Sequence, residues 1–101
     1  MSQVLRQKIT EELKTAMKAQ DRLRLDAIRY VLALVKNAEI DAKRELEDSE
    51  VIKVTKGEVK KRKEALRYAQ GKPGEKMQKW VEEEEAKVKV LQEFLPEEFR
   101  V

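Results

Sequence analysis

The chain has 101 residues, enough for one domain, and 43% of them are charged: 23 Lys and Arg stand against 20 Asp and Glu, a net charge of +3. Leu, Ile, Val and Phe number 26, above the roughly 20% below which a chain cannot bury enough surface, so the charges belong on the outer faces of amphipathic helices. The absence of Cys and His excludes disulfide frameworks, the usual zinc sites, thiol catalysis and imidazole bases, and the small size argues against a large cleft.

With three Gly and two Pro as the only strong breakers, long helices are expected throughout. A first helix is predicted from about Gln3 to Ala19, with Ser2 as its N-cap and Leu5, Ile9, Leu13 and Met17 as its inward stripe. Asp21 caps a second helix from Arg22 to about Lys43. Its apolar set of Leu23, Leu25, Ala27, Ile28, Val31, Leu32, Leu34, Val35 and Ala38 is wide enough to touch several neighbours, which makes it the central helix. After Glu45 to Ser49 a third helix reaches about Gln70, capped by Asp48 or Ser49, with a seam of Ile52, Thr55, Val59, Leu66 and Ala69 flanked by Val51 and Val54. Gly57 interrupts it at a cost of about 1 kcal/mol against Ala, which puts its continuity in question. The loop Gly71-Lys72-Pro73-Gly74 leads to a fourth helix with Met77, Trp80, Val81, Val88, Leu91 and Leu95 at helical spacing, ending before Pro96. The expected fold is all-α, a compact bundle of about four helices in which the third and fourth form a hairpin. No apolar run approaches the ~18 residues of a membrane span, and no signal or transit peptide is apparent, so a cytoplasmic protein without membrane contact is expected.

The third helix carries the most informative charges. Lys53, Lys56, Lys60, Lys63 and Arg67 step by three and four residues onto one stripe, about 20 Å long, beside the apolar seam. Such a row of cations suits a phosphate backbone, and these five residues are the candidate nucleic-acid-binding set. The competing reading pairs the stripe with the fourth helix across the hairpin, Lys63 opposite Glu82 and Lys60 opposite Glu85, with no aromatic side chains interleaved to stack on bases. Glu82 to Glu85 point around the helix and cannot converge on one cation; they read as a solvated face with i,i+4 pairs from Glu83 to Lys87 and Glu85 to Lys89. Arg62 falls on the apolar seam, where it either snorkels to solvent or meets a carboxylate from a neighbouring helix. Tyr30, Tyr68, Trp80 and Phe94 sit at core or boundary spacing and read as packing residues. Catalytic templates are absent: Ser2 and Ser49 have no activating base, and the Gly71 to Gly74 loop lacks a phosphate-binding spacing. No catalytic residue, metal or cofactor is assigned.

The run Leu13-Lys14-x-Ala16-Met17-Lys18-Ala19-x-Asp21, continuing through Arg24-Leu25, Ile28-Arg29 and Lys36-Asn37-Ala38-Glu39-Ile40, resembles the N-terminal part of the YqeY proteins. Arg44-Glu45-Leu46, Glu50-Val51-Ile52, Glu58-Val59-Lys60-x-Arg62 and Leu91-x-x-Phe94-Leu95-Pro96 extend the resemblance over about Val4 to Phe99. It implies an all-helical domain similar to the helical region of GatB, a subunit of the glutamine-dependent tRNA amidotransferase, in which that region helps to engage tRNA. It also implies the family label of carbon-nitrogen ligation with glutamine as donor, without bringing catalytic residues to this chain. The family's second small helical domain would follow Pro96; a domain over residues 1–96 with a short tail over 97–101 is expected in its place. Glu47 stands where the family has a Thr cap, and Thr55 and Gly57 replace a leucine and a lysine, changes expected to loosen the middle of the third helix. The expected partner is tRNA or a tRNA-charging amidotransferase assembly. The alternative is a protein-interaction or homo-oligomerisation module without RNA contact, using Phe94, Leu95 and Phe99 as exposed apolar residues.

Overall fold

Residues 3–100 are described by a computed structural model, and in them the chain forms four helices: α1 (Val4–Ala19), α2 (Arg22–Ala42), α3 (Asp48–Ala69) and α4 (Glu75–Glu93), followed by a 3-10 turn over Glu97–Phe99. The predicted Ser2 cap lies outside the described residues. Each break is set by local chemistry. At the ends of α1 and α2, Gln20 and Lys43 both enter the left-handed region at φ 56°. The amides that follow, Asp21 and Arg44, reach back to the carbonyls of Ala16 and Glu39, so the last turns are closed by a Schellman arrangement on residues other than glycine. Asp21 Oδ1 accepts from the amide of Arg24 at 3.2 Å, the cap expected for α2.

The start of α3 differs from expectation. Its N-cap is Glu47, and Glu50 Oε1 accepts from the Glu47 amide at 3.0 Å, one arm of a capping box. Asp48, predicted to cap its own helix, instead accepts from the Leu5 amide at 2.9 Å. Its carboxylate satisfies a first-turn N–H of α1, which otherwise has no intrahelical acceptor. One residue therefore begins α3 and fastens the beginning of α1 to it.

α3 runs unbroken through Gly57 for 22 residues, so Gly57 does not split it. Tertiary packing of its inner face outweighs the local propensity cost. The hairpin turn needs glycine at both ends, with Gly71 at φ 81° and Gly74 at φ 112°. α3 then packs along α4, α1 along α2, and α2 also along α4 and α3, with a smaller contact between α1 and α3; α2 packs most extensively on the other three, as expected of the central helix.

One contiguous core fills the bundle, centred on Ile9, Ile28, Val31, Val35, Val51, Val59, Leu91 and Leu95. The inward stripe of α1 drifts from Leu5 and Ile9 to Ala16, leaving Met17 exposed. Steps of four residues advance about 40° per step around a helix, so a fourth repeat no longer faces the core. In α3, Val51 is fully buried and Ile52 only partly so. Of the four aromatics read as packing residues, Phe94 alone is in the core; Tyr30, Trp80 and Tyr68 are exposed, Tyr68 at 80%. Phe94 and Leu95 are both buried, so neither is the exposed apolar contact that the protein-interaction reading expected. No helix among the described residues is long and apolar enough to cross a membrane.

Candidate functional site

The expected stripe forms on the outer side of α3. Lys53, Lys56, Lys60 and Arg67 are exposed and Lys63 is half-buried. Lys53, Lys60 and Arg67 make no ion pair among the described residues, so the expected Lys60 to Glu85 pair is absent. Lys56 lies with its Nζ 5.4 Å from the centroid of the Phe99 ring, a cation–π contact that lays the tail against the middle of the stripe.

The ion pair that joins the hairpin is a different one. Arg62 Nη1 donates to Glu84 Oε1 at 2.9 Å across the α3–α4 interface, and Arg62 Nε donates to Glu58 Oε1 at 3.2 Å along α3. Its guanidinium carbon also lies 4.8 Å from the centroid of the Tyr30 ring on α2, so one planar cation ties three helices. Glu58 is 7% exposed, and such buried carboxylates are retained only when paired. Of the two outcomes open to Arg62, a partner carboxylate is therefore the one realised. Glu84 is also held by Lys87 at 3.4 Å. The four-glutamate run is accordingly not uniformly solvated, since Glu84 turns inward. Neither expected i,i+4 pair, Glu83 to Lys87 or Glu85 to Lys89, forms among the described residues; Lys87 pairs with Glu84 at i,i+3 instead.

This arrangement sets what α3 presents to solvent. The inward carboxylate of α4 is taken by an arginine of the seam and not by the stripe, leaving most of the stripe's positive charge unopposed. Beside it an open groove of about 800 Å3 runs between α3 and α4. Lys63 and Arg67 line it from α3, Glu82, Glu85 and Lys89 from α4, and Arg100 from the tail. The contribution of Lys89 and Arg100 was not visible along the chain, since they lie 22 and 33 positions beyond Arg67 in sequence and only the hairpin and the returning tail bring them near it. No group of acidic residues suited to hold a metal ion occurs among the described residues.

A second polar cluster lies at the other end of α2. Glu39 accepts from Arg6 Nε at 2.9 Å and Nη2 at 2.8 Å, and from the Leu46 amide at 2.9 Å. The Arg6 hydrogen bonds hold the Glu39 carboxyl below its ordinary value against the opposing effect of burial, and the Leu46 amide adds to the lowering. Arg44 grips Glu50 through both terminal nitrogens at 2.7 and 2.6 Å, which pushes the Glu50 carboxyl down to about 2. Both clusters join elements of the bundle, which is a structural role.

Compared with known proteins, the chain matches the family model described as Yqey-like protein over residues 6–100. No curated protein matches it.

Proposed function

The chain belongs to the YqeY-like family, and from that premise we propose that it is a non-catalytic helical module that engages tRNA, or an amidotransferase assembly that carries tRNA, through the basic face of α3. The observation that carries this reading is the division of labour between Arg62 and the stripe. Arg62 consumes the inward carboxylates Glu58 and Glu84, so Lys53, Lys56, Lys60 and Arg67 keep their charge for a partner. A row of cations about 20 Å long on a rigid helix matches several successive phosphates, and phosphate contacts of this kind supply affinity without base sequence. The resemblance to the helical region of GatB supports tRNA as the polymer. On this reading the protein works in the cytoplasm as an accessory to carbon-nitrogen ligation and supplies none of the reacting groups.

The test is a titration of tRNA followed by fluorescence anisotropy at increasing salt. Four phosphate contacts predict a loss of affinity of roughly 50- to 150-fold between about 50 and 200 mM salt. Reversing three charges, with Lys53→Glu, Lys56→Glu and Lys60→Glu, abolishes most of the low-salt affinity. Affinity that is independent of salt, or untouched by the triple variant, would remove the stripe from consideration.

A further inference from the structure

The cations of α3 do not end at the helix. Lys63 and Arg67 belong both to the stripe and to the wall of the α3–α4 groove, so the groove is continuous with the basic face. Two further cations enter it from elsewhere in the chain. Lys89 stands on α4 and makes no ion pair among the described residues. Arg100 arrives because the chain turns at Pro96 and the 3-10 turn brings the tail back. There its Nε donates to the Leu95 carbonyl at 3.1 Å, while the neighbouring Phe99 ring rests on Lys56. That bond fixes the guanidinium through one nitrogen. Its two terminal nitrogens have no partner among the described residues and remain available.

The geometry points to this groove as a second phosphate-binding track, in which Lys89 and Arg100 hold an RNA backbone together with Arg67. The inference rests on the RNA reading of α3 and extends it to a surface built from three parts of the chain. Arg67, Lys89 and Arg100 make no ion pair among the described residues and outnumber the carboxylates Glu82 and Glu85 that line the same groove, so the balance favours a polyanion, and Glu82 and Glu85 lower its affinity by like-charge repulsion toward phosphate. An open groove along two helices suits a polymer better than an enclosed small molecule. A protein partner is disfavoured by what is missing from the floor: Leu66 and Val88 are buried, and no aromatic side chain lines the groove to serve as the kind of anchor on which protein interfaces depend.

The experiment compares tRNA binding by the intact chain with two sets of variants across a salt series. Lys89→Gln with Arg100→Gln lowers affinity by about tenfold at low salt and reduces the slope of log affinity against log salt by roughly 0.7 to 0.9 per cation removed. Glu82→Gln with Glu85→Gln raises affinity, whereas Glu11→Gln on α1 leaves it nearly unchanged. If Lys89→Gln with Arg100→Gln binds with the parent affinity and slope while Lys56→Gln with Lys60→Gln weakens binding, the groove assignment fails and the α3 reading stands. If tRNA does not bind the intact chain at all, both fall together. A polyglutamate peptide that binds the intact chain and is lost in the Lys89/Arg100 variant, with tRNA binding unaffected, would assign the groove to an acidic protein segment and overturn the inference.

Discussion

Between Val59 and Leu66 the seven-residue repeat of α3 asks for an apolar side chain, and the chain supplies Arg62. The charge is tolerated because the guanidinium is partnered: Glu58 and Glu84 accept from its edge, and its central carbon lies 4.8 Å from the centroid of the Tyr30 ring. Arginine suits this place better than lysine, whose point charge offers neither the planar fork nor the stacking surface. Replacing Arg62 with Met leaves the buried Glu58 carboxylate without its cation and Glu84 with Lys87 alone, and destabilises the protein by about 3 kcal/mol, the lower end of the range for breaking a buried pair. Urea denaturation measures this directly. Adding Glu84→Leu to Arg62→Met restores part of the loss, since an apolar replacement of the interhelical pair costs far less than half a pair. The oddity of Arg62 was legible in the sequence, but its partner was not. Glu82, Glu83, Glu84 and Glu85 have equal claims along the chain, and only the register of the hairpin selects the one that faces α3.

At the scale of helices, period and breakers located α1 to α4 to within a few residues, because these helices are long and their breaks are marked by the capping Asp21, the acidic stretch before Ser49 and the Gly71 to Gly74 loop. Caps were less legible. Asp48 has the side chain of an N-cap and is spent on Leu5 of another helix, a choice that depends on where α1 lies and not on the local sequence. Gly57 shows the reverse case, a local weakness that packing overrides. It is exposed, and a Cβ placed there meets nothing within 4 Å. Gly57→Ala is therefore expected to stabilise the protein by about 1 kcal/mol, raising the midpoint of thermal unfolding by about 4 to 8 °C for a domain of this size. Circular dichroism melting checks this. A destabilised variant would mean that the flexibility of Gly57 is required in the folded state.

For the whole molecule, the cluster around Glu39 joins α1, α2 and the segment leading into α3. Because Arg6 and the Leu46 amide lower the folded-state value of this carboxyl, its stabilisation is fully present above the ordinary value near 4.5 and is lost as the pH falls through the lowered one. Glu50, held down to about 2 by Arg44, acts in the same direction, so acid weakens the bundle progressively from about pH 4.5 toward pH 2. Glu39→Gln is expected to cost about 2 kcal/mol at neutral pH, the scale of hydrogen bonds to a charged partner, and to flatten the acid limb of a urea-denaturation series taken from pH 6 to 2. An unchanged acid limb would show that other carboxylates govern it.

Charge is distributed on the same scale. Residues 1–50 carry ten basic and ten acidic groups, so the whole excess of +3 lies in the second half of the chain. From Lys53 to Lys79 there are ten basic groups against three acidic ones, and from Glu82 to Glu98 two against seven. Segregation of that kind, like helix period and the Gly-Pro-Gly break, is a property of neighbours in the chain, and a helix converts near neighbours into one face without help from the rest of the molecule. The all-α class, the hairpin and the basic stripe of α3 follow from it. Which glutamate meets Arg62, which helix Asp48 caps, and that Lys89 and Arg100 join Lys63 and Arg67 along one groove depend on side chains 22 to 43 residues apart meeting across packed elements. Those meetings are set by the burial of a shared core, whose register no stretch of local sequence specifies alone.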